Sequence, residues 1–125
     1  MNASALTAFE REVAGYLLAG AVAQLARLRE QLAMASVAKR VETGVGFHVQ
    51  LSVPAGVPTV VPEGFYLSDV VIELRDVRYG ASAILLIAAG RLAQLEVATF
   101  DDPWPAKPEI VSWRYDPDPR ALPFG

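Results

Sequence analysis

Apolar positions along the chain change their spacing once, near residue 40, and the change divides the sequence in two. Over residues 4–36, Leu18, Ala21, Leu25, Leu28 and Leu32 recur every three or four positions, which keeps them on one helical face. Leu6, Phe9, Val13 and Leu17 form an earlier stripe, slightly out of phase with the first. Proline is absent there, and alanine, leucine, glutamine, arginine and glutamate dominate, so the segment is expected to be helical. Gly15 and Gly20 lie where the stripes meet and predict a kink or a split. A straight helix of that length would run about 45 Å at roughly 1.5 Å per residue. A globule of this size is only about 30–35 Å across. Part of the helix would then need cover from outside the sheet, and a second copy of the chain is the simplest source.

Downstream the period is two. Val45, Phe47, Val49, Leu51 and Val53 alternate with Gly44, Gly46, His48, Gln50 and Ser52, as in a strand with one face buried. The stretch PAGVPTVVPEG ends it as a loop. Val70, Ile72 and Leu74 alternate with Asp69, Val71, Glu73 and Arg75 on a second strand. ASAILLIAA is apolar on both faces and reads as a central strand; Gly90 marks a tight turn. Leu95, Val97 and Thr99 then alternate with Gln94, Glu96 and Ala98. In the tail, EIVSWRY predicts a short strand at an edge because prolines flank it. The final DPDPRALPFG has no periodicity and is expected to be extended.

These elements predict a single α+β domain over residues 1–125. A long N-terminal helix over 4–36, kinked or split, packs on one face of a four- to five-stranded antiparallel sheet over 41–100. A Pro- and Trp-rich tail follows at 101–125. The polar face opposite the helix is left open for solvent or for binding.

Composition narrows the function classes. Hydrophobic residues make up 53% against 20% charged, enough to build a core and too apolar for a disordered chain. The net charge is −3, and no Lys or Arg run exceeds two residues. The basic footprint of a nucleic-acid binder is therefore missing, and no such partner is expected. With no cysteine, disulfides, thiolate metal sites and cysteine nucleophiles are excluded. The apolar run at 13–25 is shorter than the roughly 20 residues a bilayer needs. Glu10, Arg11 and Glu12 precede it and Arg27 and Arg29 follow, which is not a signal-peptide layout. A cytoplasmic protein without stable membrane insertion is expected.

Candidate chemistry is sparse. Gly44-Val45-Gly46 precedes a strand rather than a helix and lacks the third glycine and the Lys-Ser/Thr of phosphate loops. Alternation instead places Gly44 and Gly46 on the face of His48, opposite Val45 and Phe47, as a shallow groove. His48 is the only histidine and has no acid or histidine at metal-ligand spacing, so no metal site and no cofactor are expected. Glu96 is the only formal charge in an otherwise apolar stretch; either Glu96 or Glu73, if the register brought it opposite His48, would form a carboxylate–imidazole pair capable of general acid–base work. Parity groups Asp69 with Glu73 on the same polar side. Ser52, Ser68 and Ser82 lack a nucleophile-elbow context, and no catalytic residue is assigned. Trp104, between Pro103 and Pro105, is either a lid over a sheet edge or an anchor for a partner. The candidate binding surface thus comprises Gly44, Gly46, His48, Gln50, Asp69, Glu73, Glu96 and Trp104.

LREQLAMASVAKRVETGVGFHVQL and YGASAILLIAAGRLAQLEVATFDDPWP together resemble a group of small bacterial proteins of unknown function. Their pattern is Q-L-x-x-A-x-V-x-x-R-x-x-T-G-V-G-F, a hydrophobic strand, an Asp-Gly turn, L-E-G-[FY]-[TS]-[YF] and W-P. The resemblance spans residues 28–105. Ala89-Gly90 replaces Asp-Gly here, Val97 replaces the glycine after Glu96, and His48 stands where a second aromatic is usual. Some members look like the small single-domain partners found near bacterial toxin genes, so the resemblance implies an immunity-like binding role by analogy. The expectation is a non-enzymatic, homodimeric interaction protein with a protein partner. The competing expectation is a small-molecule-binding or hydrolytic protein working on the polar sheet face around His48 and Glu96.

Overall fold

The computed structural model describes residues 4–124. Gly20 ends the N-terminal helical run. Its φ of +135° lies where side chains are rarely accommodated, and a Cβ there would sit 2.9 Å from the Leu25 side chain. Two short helices result, α1 (Ala8–Leu17) and α2 (Ala23–Met34). Thr7 caps α1: its hydroxyl accepts the Glu10 N–H, while the Glu10 carboxylate accepts the Thr7 N–H. The far end of α1 has no basic residue in its last turn. Arg29 donates to the Leu18 and Gly20 carbonyls, and Arg120 from the tail donates to those of Leu17 and Ala19. Both guanidinium groups thereby meet the negative end of the helix dipole.

Six strands follow: β1 (Ser36–Glu42), β2 (Gly46–Ser52), β3 (Phe65–Leu74), β4 (Ala81–Ala88), β5 (Arg91–Thr99) and β6 (Ile110–Tyr115). They form one antiparallel sheet in the order β1-β2-β5-β4-β3-β6. The β4–β5 hairpin turns at Ala89 and Gly90, both at positive φ, as a tight two-residue turn requires. Both helices lie on one sheet face. Val13, Leu17, Leu25 and Leu28 are fully buried there with Val49, Ile72, Leu85 and Leu95. Each such side chain contributes about 1.5–3 kcal/mol relative to exposure. Tail and helix layer are joined by Arg120, which holds Asp69 through two hydrogen bonds of 2.6 and 2.9 Å and lies over the Tyr115 ring.

The α+β expectation of one long helix on a four- to five-stranded sheet is overturned. With 18% helix and 40% strand in six strands, the protein is mostly β. The helix expected over 4–36 is two helices, and the sheet begins at Ser36 rather than at 41. β1 escapes the period-two test because a bulge between Val37 and Lys39 shifts its register, so that Val37 and Arg40, three positions apart, lie opposite the core residues Leu51 and Val49. The tail from 101 onward contributes β6, paired with β3 at the sheet edge. The split also removes the helix overhang on which the homodimer expectation rested, because both helices find their cover on the chain's own sheet.

Glu10 ties the helix layer to β1. Arg40 donates to its two oxygens at 2.8 and 2.7 Å, and the Glu10 side chain is almost fully enclosed. Burial alone would push this carboxyl up. The Arg40 and Thr7 hydrogen bonds and the Arg40 charge outweigh burial and hold it below the usual carboxylate range. Below about pH 4.3, the ordinary glutamate value, the unfolded chain therefore binds the proton more readily than the folded one. Stability from this group is complete above that pH and is lost as pH falls through the folded value. Urea titrations across the acid range should show this slope, and Glu10→Gln should flatten it while costing about 1–2 kcal/mol at neutral pH. An unchanged acid slope in the variant would remove Glu10 as its source.

Candidate functional site

The alternation that buries one sheet face leaves the other without a covering helix or strand among the described residues. Strand register sets its cross-strand rows. Val41, His48, Glu96 and Ile84 lie side by side across β1, β2, β5 and β4. The next row runs Gln50, Gln94, Leu86 and Tyr66, ending on β3. On the other side lie Gly46, Ala98, Ser82, Val71 and Arg114. Val41, Val71, Ile84 and Leu86 are half-buried by their neighbours, and Tyr66 is 63% exposed. Aliphatic side chains thus alternate with amides, one imidazole and one carboxylate. A small recess of about 200 Å³ opens between Tyr66, Ile84, Leu86, Gln94 and Glu96.

His48 and Glu96 are direct cross-strand partners, yet no hydrogen bond joins them among the described residues. The His48 Nδ1 is enclosed and has no hydrogen-bond partner among the described residues. An enclosed ring nitrogen without a partner carries a cost that an incoming donor or acceptor would relieve. Among the described residues, no group of three or more His, Asp or Glu side chains stands close enough to hold a metal ion.

The eight expected surface residues do not form one patch. His48, Gln50 and Glu96 do come together. Gly46 belongs to the adjacent row but offers no groove, because a Cβ on it would lie 1.9 Å from the Val97 carbonyl oxygen. The β5 backbone fills that space. Gly44 sits in the β1–β2 turn with φ +87° and open space around it. Val45, expected to face the core beside Phe47, is 43% exposed, and its carbonyl accepts the Thr99 N–H at 2.8 Å. Asp69 and Glu73 are separated by the bulge between Leu67 and Val70. Asp69 is spent on Arg120 at the helix side, while Glu73 pairs with Ser112 of β6.

Trp104 lies on the opposite, helix-bearing face. Its backbone N–H donates to Gly44 at 2.9 Å, and its ring packs edge-on against Phe9 and Phe47 at 5.8 and 5.5 Å between centroids. The aliphatic members of the open face, Val71, Ile84 and Leu86, were absent from the expected surface. Their signal is visible in ASAILLIAA: an apolar run on both faces marks either a covered central strand or a sticky open face, and only the helix positions decide between them.

No helix among the described residues is long and apolar enough to cross a membrane. No protein-family model, curated protein or solved structure matches the chain.

Proposed function

We propose that the chain is a non-enzymatic binding protein that pairs with a second copy of itself through the uncovered sheet face. The observation that carries this reading is the group of half-buried Val71, Ile84 and Leu86, one from each of three neighbouring cross-strand rows, on a face that no helix or strand of the described chain covers. Apolar side chains grouped on an open sheet face favour sheet-on-sheet packing about 10 Å apart. The face is also self-complementary. It carries the imidazole His48 beside the carboxylate Glu96, and the amides Gln50 and Gln94 side by side, so a two-fold copy meets each group with a matching one. The sheet edges suit pairing less well: β1 is bulged and carries Lys39 and Arg40, and β6 is flanked by Pro108 and Pro117. An immunity-like role in which a toxin displaces the second copy is the partner reading that the sequence resemblance adds, by analogy alone.

Light scattering during size exclusion should give twice the 13.5 kDa chain mass. Leu86→Asp places a charge within the apolar group and should leave a folded monomer. A wild-type monomer at about 100 µM, well above the dissociation constants of stable dimers, would sink the reading.

The orphaned His48 Nδ1 opposite Glu96 favours a second reading, a small polar ligand held on the same face. In that case a metabolite screen by thermal shift finds a stabilising compound whose effect disappears in both His48→Phe and Glu96→Gln. Stabilisation that survives both changes removes the face as the site.

A further inference from the structure

On the opposite side of the sheet, a cleft of about 300 Å³ opens between the start of α1 and the β1–β2 hairpin. This is the lower end of the range occupied by small-molecule sites, roughly 300–1,000 Å³. Phe9, Phe47 and Trp104 wall it, their rings within 5.5–6.1 Å of one another centre to centre. Three charged groups line it: Glu10, Arg40 and Glu42. The Arg40 guanidinium is engaged by both oxygens of Glu10, which also takes the Thr7 N–H. Those contacts satisfy the positive end of α1, so the helix start has no call on an anion. Glu42 is exposed and makes no hydrogen bond or ion pair among the described residues. The one uncommitted charge at an aromatic-walled cleft is therefore negative.

We propose that this cleft binds a small organic cation with an aromatic body, of the arylalkylamine class. The ring lies against the wall formed by Phe9, Phe47 and Trp104, and the ammonium group pairs with Glu42. Aromatic walls favour such a ligand twice, through burial of its apolar body and through attraction of the cation to their ring faces. An arylalkyl carboxylate of the same shape meets Glu42 with like charge and is rejected. Cleft and open sheet face lie on opposite sides of the sheet, so this site is independent of self-association.

Tryptamine, indole and indole-3-acetate are a matched cationic, neutral and anionic set. Titration calorimetry should show tryptamine binding with a dissociation constant of about 0.1–1 mM, the range for a ligand of this size. Indole should bind about fivefold more weakly and indole-3-acetate more weakly still. Glu42→Gln should bring tryptamine down to the indole level and leave indole unchanged; the residue is exposed at the end of β1, so the fold survives the change. The two tryptophans allow the site to be located by NMR: tryptamine should shift the Trp104 indole N–H signal and leave that of Trp113, which stacks on Tyr16 at 4.1 Å, in place. The Leu86→Asp variant should bind tryptamine as the wild type does. Equal binding of all three probes, no binding of tryptamine at about 10 mM, a silent Glu42→Gln, or a shift of Trp113 in place of Trp104 would each overturn the proposal.

Discussion

Gly46→Ala is expected to cost about 3–5 kcal/mol, a large share of the roughly 5–15 kcal/mol that holds a domain of this size together. The added carbon would sit 1.9 Å from the Val97 carbonyl oxygen and 2.8 Å from both the Val97 carbonyl carbon and the Ala98 Cα. All three are backbone atoms of β5, which is paired on both sides, to β2 and to β4. No rotamer change can relieve such a contact. The strands must separate locally, losing ladder hydrogen bonds and the burial of Phe47. The close approach is maintained by Val45, whose carbonyl accepts both the N–H and the hydroxyl of Thr99 just past the Gly46–Ala98 pair. Gly44 is two residues away and behaves differently. Its φ of +87° is unusual for a side chain, but nothing lies within 4 Å of its would-be Cβ. Gly44→Ala should cost only about 1–2 kcal/mol of backbone strain. In thermal melts the Gly46 variant should lose roughly 10–20 °C and the Gly44 variant no more than about 8 °C. Equal losses would mean that β5 can give way, and that the two glycines serve the same turn.

The glycine pair shows how far the residues alone carry. Alternation places Gly46 on the face of His48 and suggests an open groove there, where the structure puts the backbone of β5. What presses on Gly46 is not legible locally, because β5 lies some fifty positions downstream and its pairing with β2 is a tertiary choice. Alternation locates β2, β3 and β5, a continuous apolar run locates β4, and Gly20 marks the helix break, because each of these signals is local. β1 and the position of Asp69 are lost to bulges, each of which adds a residue and inverts the faces beyond it. Parity correctly groups His48 with Gln50 and permits Glu96 to oppose His48, but the strand order is what makes them neighbours. Trp104 could not be assigned to a face at all: it lies outside any strand, where no period applies, and the aromatic pair it joins comes from α1 and β2.

Gln31 carries the other large expected effect. It lies on α2 with no exposed surface, the only fully enclosed amide side chain among the described residues. Its Nε2 donates to the Pro58 and Gly90 carbonyls at 2.9 and 3.0 Å, and its Oε1 accepts the Leu92 N–H at 3.0 Å. The partners fix the amide's orientation, since two can only accept and one can only donate. One side chain thus joins a helix, the proline-rich loop after β2 and the β4–β5 turn. Replacing it by Leu preserves most of the volume but strands three backbone groups in an apolar setting. At roughly 1–3 kcal/mol per unsatisfied group, partly offset by apolar burial and by alternative partners, the net loss should be about 3–4 kcal/mol. Of the three partners, the Gly90 carbonyl also accepts the Val60 N–H at 3.0 Å and keeps that bond. The Pro58 carbonyl and the Leu92 N–H have no such second bond among the described residues. Hydrogen exchange should therefore locate the damage: the Leu92 amide should lose most of its protection in Gln31→Leu, while Val49 and Leu85 amides change only with global stability. Gln31→Glu separates lost hydrogen bonds from lost shape. Its carboxylate keeps the acceptor for Leu92 but turns an oxygen toward two carbonyls, so the folded protein favours the protonated form. The folded state then binds more protons than the unfolded one above about pH 4.3, and the variant's deficit should grow as pH rises from there. A deficit independent of pH would show that the glutamate side chain has swung out of the core and that water has replaced its hydrogen bonds.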